Sequence, residues 1–143
     1  MLTLQQLLDR KGRGVISIGP DEPVLEAVRS MAERHVGALL VVEADGRVAG
    51  IVSERDYARK VVLQGRSSHD TPVRAIMTGT IISAPLTATV HDAMRIMTER
   101  RIRHLPVMTG ERLEGVVSIG DLVKAVMEVQ QLEIDALQAY IHG

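Results

Sequence analysis

The chain has 143 residues, 17 Lys and Arg against 18 Asp and Glu for a formal net charge of −1, and 45% hydrophobic residues. That length supports one compact unit with an ample core, and the balanced charge argues against an electrostatic nucleic-acid binder. Two Tyr with no Phe or Trp exclude a base-stacking platform, and the absence of Cys excludes disulfides, thiol nucleophiles, iron–sulfur clusters and thiolate metal sites.

Met1 to Lys11 alternates Leu with Gln and Asp, unlike the cationic, then apolar, plan of a signal peptide, and is expected to form an N-terminal helix over 1–12. Gly12-Arg13-Gly14 is a flexible entry. Val15 to Ile18 is a short β-branched run, hence a strand. Val24, Ala27, Val28 and Met31 recur at helical spacing, with Pro23 suited to an early helical position. Ala38 to Val42 is a continuous apolar strand, and Asp45-Gly46 is a hairpin turn leading to a strand over Val48 to Val52. A helix from Ser53 to Gln64 closes this unit, and the polar stretch Gly65 to Pro72 reads as a linker. The plan then recurs. Thr80 to Ser83 is a strand; Thr89 to Asp92 is a capping box opening a helix through Val90, Ala93, Met94 and Met97. Leu105 to Met108, a turn at Thr109-Gly110, Leu113 to Val117 and a helix from Ser118 complete it. No apolar run approaches the roughly 18 residues needed to span a bilayer, so a soluble, cytoplasmic protein is expected.

The recurrence is visible residue by residue. Val24–Arg34 falls on Val90–Arg100, and Leu39 and Val41 fall on Leu105 and Val107; after one residue drops from the turn, Gly50–Asp56 meets Gly115–Asp121. The repeats span 14–63 and 79–128. Neither could bury its apolar face alone, because about 50 residues with one sheet covered on one side are too few. The expected fold is α/β of the α+β type: two β-α-β-β-α repeats packed sheet to sheet with pseudo-twofold symmetry, plus N- and C-terminal helices. Two clefts would then lie between the repeats.

No His pair has metal-ligand spacing, and no nucleophile elbow, P-loop or dinucleotide fingerprint is present, so neither a metal site nor catalysis is expected. The informative pattern is Ser-x-x-Asp, found as Ser53 with Asp56 and as Ser118 with Asp121. As a capping box it satisfies the first amides of a helix. The same geometry also offers amides to a phosphate and a fixed carboxylate to ribose hydroxyls. One residue can do both. A second pattern, Arg101-Ile102-Arg103-His104-Leu105-Pro106-Val107, runs cations into a buried strand. Arg100 and Arg101 suit a helix C-terminus, whereas Arg103 or His104 should face the cleft, where an Arg is well shaped for phosphate. The first repeat carries Gly37 and Ala38 there.

With the duplicated unit, the two Ser-x-x-Asp segments and the Arg103–Val107 run, the chain resembles a tandem cystathionine-β-synthase-type (CBS) domain pair, or Bateman module, over about residues 14–128, and more narrowly the stand-alone bacterial CBS-pair proteins. The resemblance implies a regulatory module, with no catalytic cofactor, that binds adenosine ligands such as AMP, ADP, ATP, NAD or S-adenosylmethionine between the repeats and signals energy or redox state to a partner. It implies that Asp56 and Asp121 bind ribose, with Ser53 and Ser118 beside them. Arg103 and His104 would meet phosphate, and Arg55 would assist in the other cleft. Ile16, Val36, Ile82 and Ile102 would enclose adenine. Gly37 and Ala38 depart from the basic or polar residues common in the family.

Beyond Asp121 the helical pattern continues through Leu122, Val126, Val129, Leu132, Ile134, Leu137 and Tyr140, giving an extension over 129–143. Together with the stripe Leu2, Leu4, Leu7 and Leu8, it predicts a homodimer of modules, since exposed apolar stripes mark contacts. The alternative to nucleotide sensing is a ligand-free structural dimerisation or interaction module in which Ser-x-x-Asp serves only as a cap.

Overall fold

In the computed structural model, which describes residues 1–142, Thr3 opens the first helix, α1 (Leu4–Lys11), through a reciprocal capping box with Gln6. The remaining elements are β1 (Ser17–Ile18), α2 (Val24–Arg34), β2 (Ala38–Val42), β3 (Val48–Ser53), α3 (Glu54–Tyr57), α4 (Val90–Arg100), β4 (His104–Thr109), β5 (Arg112–Ser118) and α5 (Ile119–His142). The fold is a mixed α+β type with two small sheets, β1-β2-β3 and β4-β5. The chain divides into two compact units. One holds residues 14–82 and 109–113; the other holds residues 1–13, 83–108 and 114 onward.

In the unit of the first repeat, β1 runs parallel to β2, with Ile18 opposite Val41, and β3 runs antiparallel to β2. The apolar spacing read for α2 buries Val24, Ala27 and Met31 against Leu39, Val41 and Val52, joined by Val61, Val73 and Ile76. Pro23 is the residue before the helix and not within it, with extended backbone at φ −61° and ψ 143°. The linker is folded onto its own unit: Val24 N–H donates to the Thr71 carbonyl at 2.9 Å, and Tyr57 and Ser68 share a 2.8 Å hydroxyl bond. Ile51 and Thr78 then exchange two backbone bonds, 3.0 and 2.9 Å. That approach requires Gly50, since a Cβ there would lie 2.5 Å from the Thr78 carbonyl oxygen.

The closing helix expected over Ser53 to Gln64 is α-helical only through Tyr57. Ala58–Val62 widens into a π-helical turn, with Leu63 N–H donating to the Ala58 carbonyl at 3.0 Å. The wider turn carries Val61 into the core and leaves Val62 and Leu63 exposed.

In the unit of the second repeat, α4 opens with the expected capping box between Thr89 and Asp92 and buries Val90, Ala93 and Met97. The strand expected over Thr80 to Ser83 does not form; only Ala84 bridges, in parallel, to Val107. The ladder stops for a chemical reason. Ala84 N–H donates to the Pro106 carbonyl and Met108 N–H donates to the Ala84 carbonyl, at 3.1 and 2.9 Å. The next rung would need an N–H from residue 106, and proline has none. The first repeat has Leu40 there, and its ladder extends to Ser17.

This unit also contains α1. Leu4 and Leu8 are fully buried and Leu7 nearly so, while Leu4 N–H and Val90 N–H bond Ala88 and Leu2 carbonyls at 2.8 and 2.9 Å. The N-terminal stripe is therefore covered within the chain and is no free contact face. α1 packs so closely that a Cβ at Gly115, the counterpart of Gly50, would lie 2.8 Å from Leu8 Cδ2. α5 begins against the unit with Leu122 and Ala125 buried. Residues 127–142 are then exposed, Leu132 and Tyr140 at 67% and 85%.

Candidate functional site

A capping Ser and an acid three residues later can satisfy each other's amides, which fixes a carboxylate where a strand turns into a helix. Both repeats do this. Ser53 N–H donates to Asp56 Oδ2 at 2.9 Å and Asp56 N–H to Ser53 Oγ at 3.1 Å. Ser118 N–H donates to Asp121 Oδ2 at 2.8 Å and Asp121 N–H to Ser118 Oγ at 3.1 Å. All four residues are half-buried, so the acids are held but reachable.

A further backbone bond, the same in both repeats, sets what stands beside each acid. Glu54 N–H donates to the Gly37 carbonyl at 3.0 Å, and Ile119 N–H donates to the Arg103 carbonyl at 2.9 Å. The residue at the entrance to the inner strand is thereby tied to the start of the acid-bearing helix. In the second repeat this brings Arg103 and His104 to Ser118 and Asp121. In the first it brings Gly37, where a Cβ would lie 3.9 Å from Glu54 Oε2. The first repeat thus has a glycine, with the Glu54 carboxylate near it, at the position where the second repeat has Arg103.

His104 is half-buried, and its pKa is lowered from 6.5, chiefly by burial and then by the Lys11 ammonium, against the pull of Asp121. The imidazole is accordingly neutral at neutral pH. Burial pushes the Asp121 carboxyl up, but hydrogen bonds from Lys11 and Ser118 outweigh it and leave the pKa below 3.8. Asp121 is an anion.

Both lysines in contact with these acids escaped the sequence reading. Lys60 Nζ lies 3.2 Å from Asp56 Oδ1 and donates to the Ile76 carbonyl at 2.9 Å. Its position one helical turn after Asp56 was an available signal. Lys11 Nζ lies 2.7 Å from Asp121 Oδ2 and donates at 2.6 Å to the carbonyl of Val116, 105 residues later, a proximity that no local pattern announces.

Ile16 and Val36 pack, partly buried, against the first repeat's core, in the same unit as Ser53, Asp56 and the exposed Arg55. Ile82, half-buried, is the last residue of that stretch, whereas Ile102 is half-buried beside Arg103 in the other unit. Among the described residues no three His, Asp or Glu side chains could hold a metal ion, and no helix is long and apolar enough to cross a membrane.

The CBS domain family's sequence model matches residues 12–63 and 73–128. The chain is similar to the mitochondrial CBS domain-containing protein CBSX3 of Arabidopsis thaliana, 41% identical over 149 residues, covering 99% of this chain and 72% of the relative. It is similar to the crystal structure of the CBS-domain containing protein ATU1752 from Agrobacterium tumefaciens at 42% identity and a TM-score of 0.77, covering 86% of this chain and 97% of that one. The CBS domain pair of protein MJ0100 shares the fold at 21% identity and a TM-score of 0.76, over 90% of this chain and 98% of that one. Two matched copies, each with its own capped acid at the helix start, make this chain a tandem pair of the CBS domain family.

Proposed function

We propose that the protein is a non-catalytic regulatory module that binds adenine nucleotides of the AMP, ADP, ATP or NAD type and passes energy or redox state to a partner. The observation that carries the reading is the second repeat's arrangement: an ionised, half-buried Asp121, fixed by Ser118 at a helix start, with Arg103 and His104 tied to the same point. A fixed carboxylate accepts two ribose hydroxyls without reorganising, and a guanidinium matches a phosphate in charge and shape. His104 joins as a neutral donor, or as a cation once a bound phosphate raises its proton affinity. Asp56, Ser53 and Arg55 form the equivalent set in the first repeat, which carries Gly37 where the second has Arg103, and Ile16, Val36, Ile82 and Ile102 supply apolar walls for adenine. CBS-domain pairs are regulatory modules, and that of protein MJ0100 was crystallised with 5-methylthioadenosine and S-adenosylmethionine. The protein works in this reading as a cytoplasmic homodimer, joined through the exposed apolar side chains of α5.

A second reading has a specific observation behind it: each acid already has a lysine partner, so Ser-x-x-Asp could serve as a cap alone in a ligand-free interaction module. A thermal-shift screen with AMP, ATP, NAD and S-adenosylmethionine separates the two. A ligand selective for the folded state at about a hundred times its Kd adds about 2.7 kcal/mol of stability. A raised midpoint with at least one of the four is the expected result; four unmoved midpoints favour the interaction module.

A further inference from the structure

Lys11 lies outside both repeats, at the last position of α1, yet it reaches the acid of the second. An ammonium has three donors and no acceptor. Two are used, on Asp121 Oδ2 and the Val116 carbonyl, and the third is left over. Lys11 and Asp121 keep 35% and 26% of their side-chain surface exposed, so a ligand can reach both.

The lysines of the two repeats differ in which oxygen they occupy. Lys60 sits on Asp56 Oδ1 while Ser53 fills Oδ2, so both oxygens of the first repeat's acid are engaged. Lys11 shares Oδ2 of Asp121 with the Ser118 amide, and Oδ1 has no partner among the described residues. A carboxylate oxygen with both lone pairs open can still accept hydroxyl donors. Lys11 therefore adds positive charge without closing the acid. Arg103 and His104 are tied to the same helix start by the backbone bond from Ile119 N–H to the Arg103 carbonyl, and the Lys11 ammonium helps lower the His104 pKa.

We propose that Lys11 is a specificity-determining residue of the second repeat's nucleotide site, favouring ligands that carry phosphate over the uncharged nucleoside. The inference rests on the nucleotide-binding reading above and extends it to a residue supplied from outside the repeat. Lys11 and Arg103 provide the two permanent cations beside an acid that keeps Oδ1 for ribose. The first repeat, with Gly37 in place of Arg103 and both oxygens of Asp56 engaged, is the weaker site for phosphate.

The test is calorimetric titration of the full chain with AMP and with adenosine, for wild type, Lys11→Met and Lys11→Arg. Loss of one charge-assisted phosphate interaction lowers AMP affinity by about tenfold in Lys11→Met, with adenosine changed by less than about threefold. Lys11→Arg restores most of the AMP affinity, which a collapsed α1 could not do. Equal losses for both ligands in Lys11→Met would show that Lys11 only positions α1. Tighter binding of both would show an internal counter-ion that competes with ligand. Either result, or AMP affinity unchanged, overturns the proposal while leaving nucleotide binding intact. Wild-type protein that binds neither ligand would instead remove both.

Discussion

His104 shows how one side chain links the fold to its chemistry. Its pKa is held below 6.5 by burial first and by Lys11 second, so the folded chain binds fewer protons than the unfolded chain once the pH drops below that value. Stability from this group is complete above 6.5 and is lost as pH falls through the lowered folded-state pKa. Asp121 is lowered from 3.8 and contributes above that value, so it does not titrate in the same window. The thermal midpoint of wild type should fall between about pH 7 and pH 5, and His104→Gln should flatten that slope, since no titrating imidazole remains there. Equal slopes in the two proteins would show that His104 is not the group responsible. Two further residues, His35 and Arg101, stand at equivalent helix ends with left-handed backbone, φ 55° in both. Each donates its amide back to a methionine carbonyl, as a C-capping residue does. No glycine marks either position, which is why the turn could not be read from composition.

At the level of elements, each repeat is finished by a segment outside its own β-α-β-β-α plan: Pro72 to Thr78 for the first and α1 for the second. Gly50 and Gly115, which occupy matching places in the alignment of the repeats, are where those segments press. The contacts differ in kind. At Gly50 an added methyl would strike a backbone carbonyl that is itself hydrogen-bonded, whereas at Gly115 it would meet the end of the Leu8 side chain. Overpacking costs about 1–3 kcal/mol, so Gly50→Ala should lie at the upper end and Gly115→Ala at the lower, read as denaturant midpoints at constant m. The reverse order would mean that Leu8 is less free to yield than the backbone at Thr78. Much of this level was legible: the helical spacing of α2 and α4, the capping boxes opened by Ser53, Thr89 and Ser118, and the hairpin turns follow from local rules. The missing strand before α4 was legible in principle, because Pro106 stands where a donor is needed, but a β-branched run outweighed it. The π-helical turn at Ala58–Val62 and the burial of α1 were not, since each depends on contacts distant in sequence.

On the scale of the whole molecule, α5 runs on as a helix whose residues 127–142 are all exposed, with Met127, Leu132, Ile134, Leu137 and Ile141 among them. In the proposed homodimer these apolar side chains pack against a second copy. Truncation after Gln130 should convert a homodimer to a monomer in light scattering at micromolar concentration; a full-length chain that is already monomeric there would contradict the dimer. The candidate site was legible to an uneven degree for the same reason. Ser53, Asp56, Ser118 and Asp121 announce themselves as local patterns repeated twice, while Lys11 reaches Asp121 only because the chain folds its start onto its second half. In the proposed function Asp121 holds a nucleotide and does not merely cap α5. Calorimetric titration of AMP into wild type and Asp121→Asn tests it most directly, because asparagine retains a capping oxygen but loses the charge. Saturable heat is expected for wild type, with affinity lower by about tenfold or more in Asp121→Asn. Equal affinity in the two proteins, or no heat with either, would contradict it.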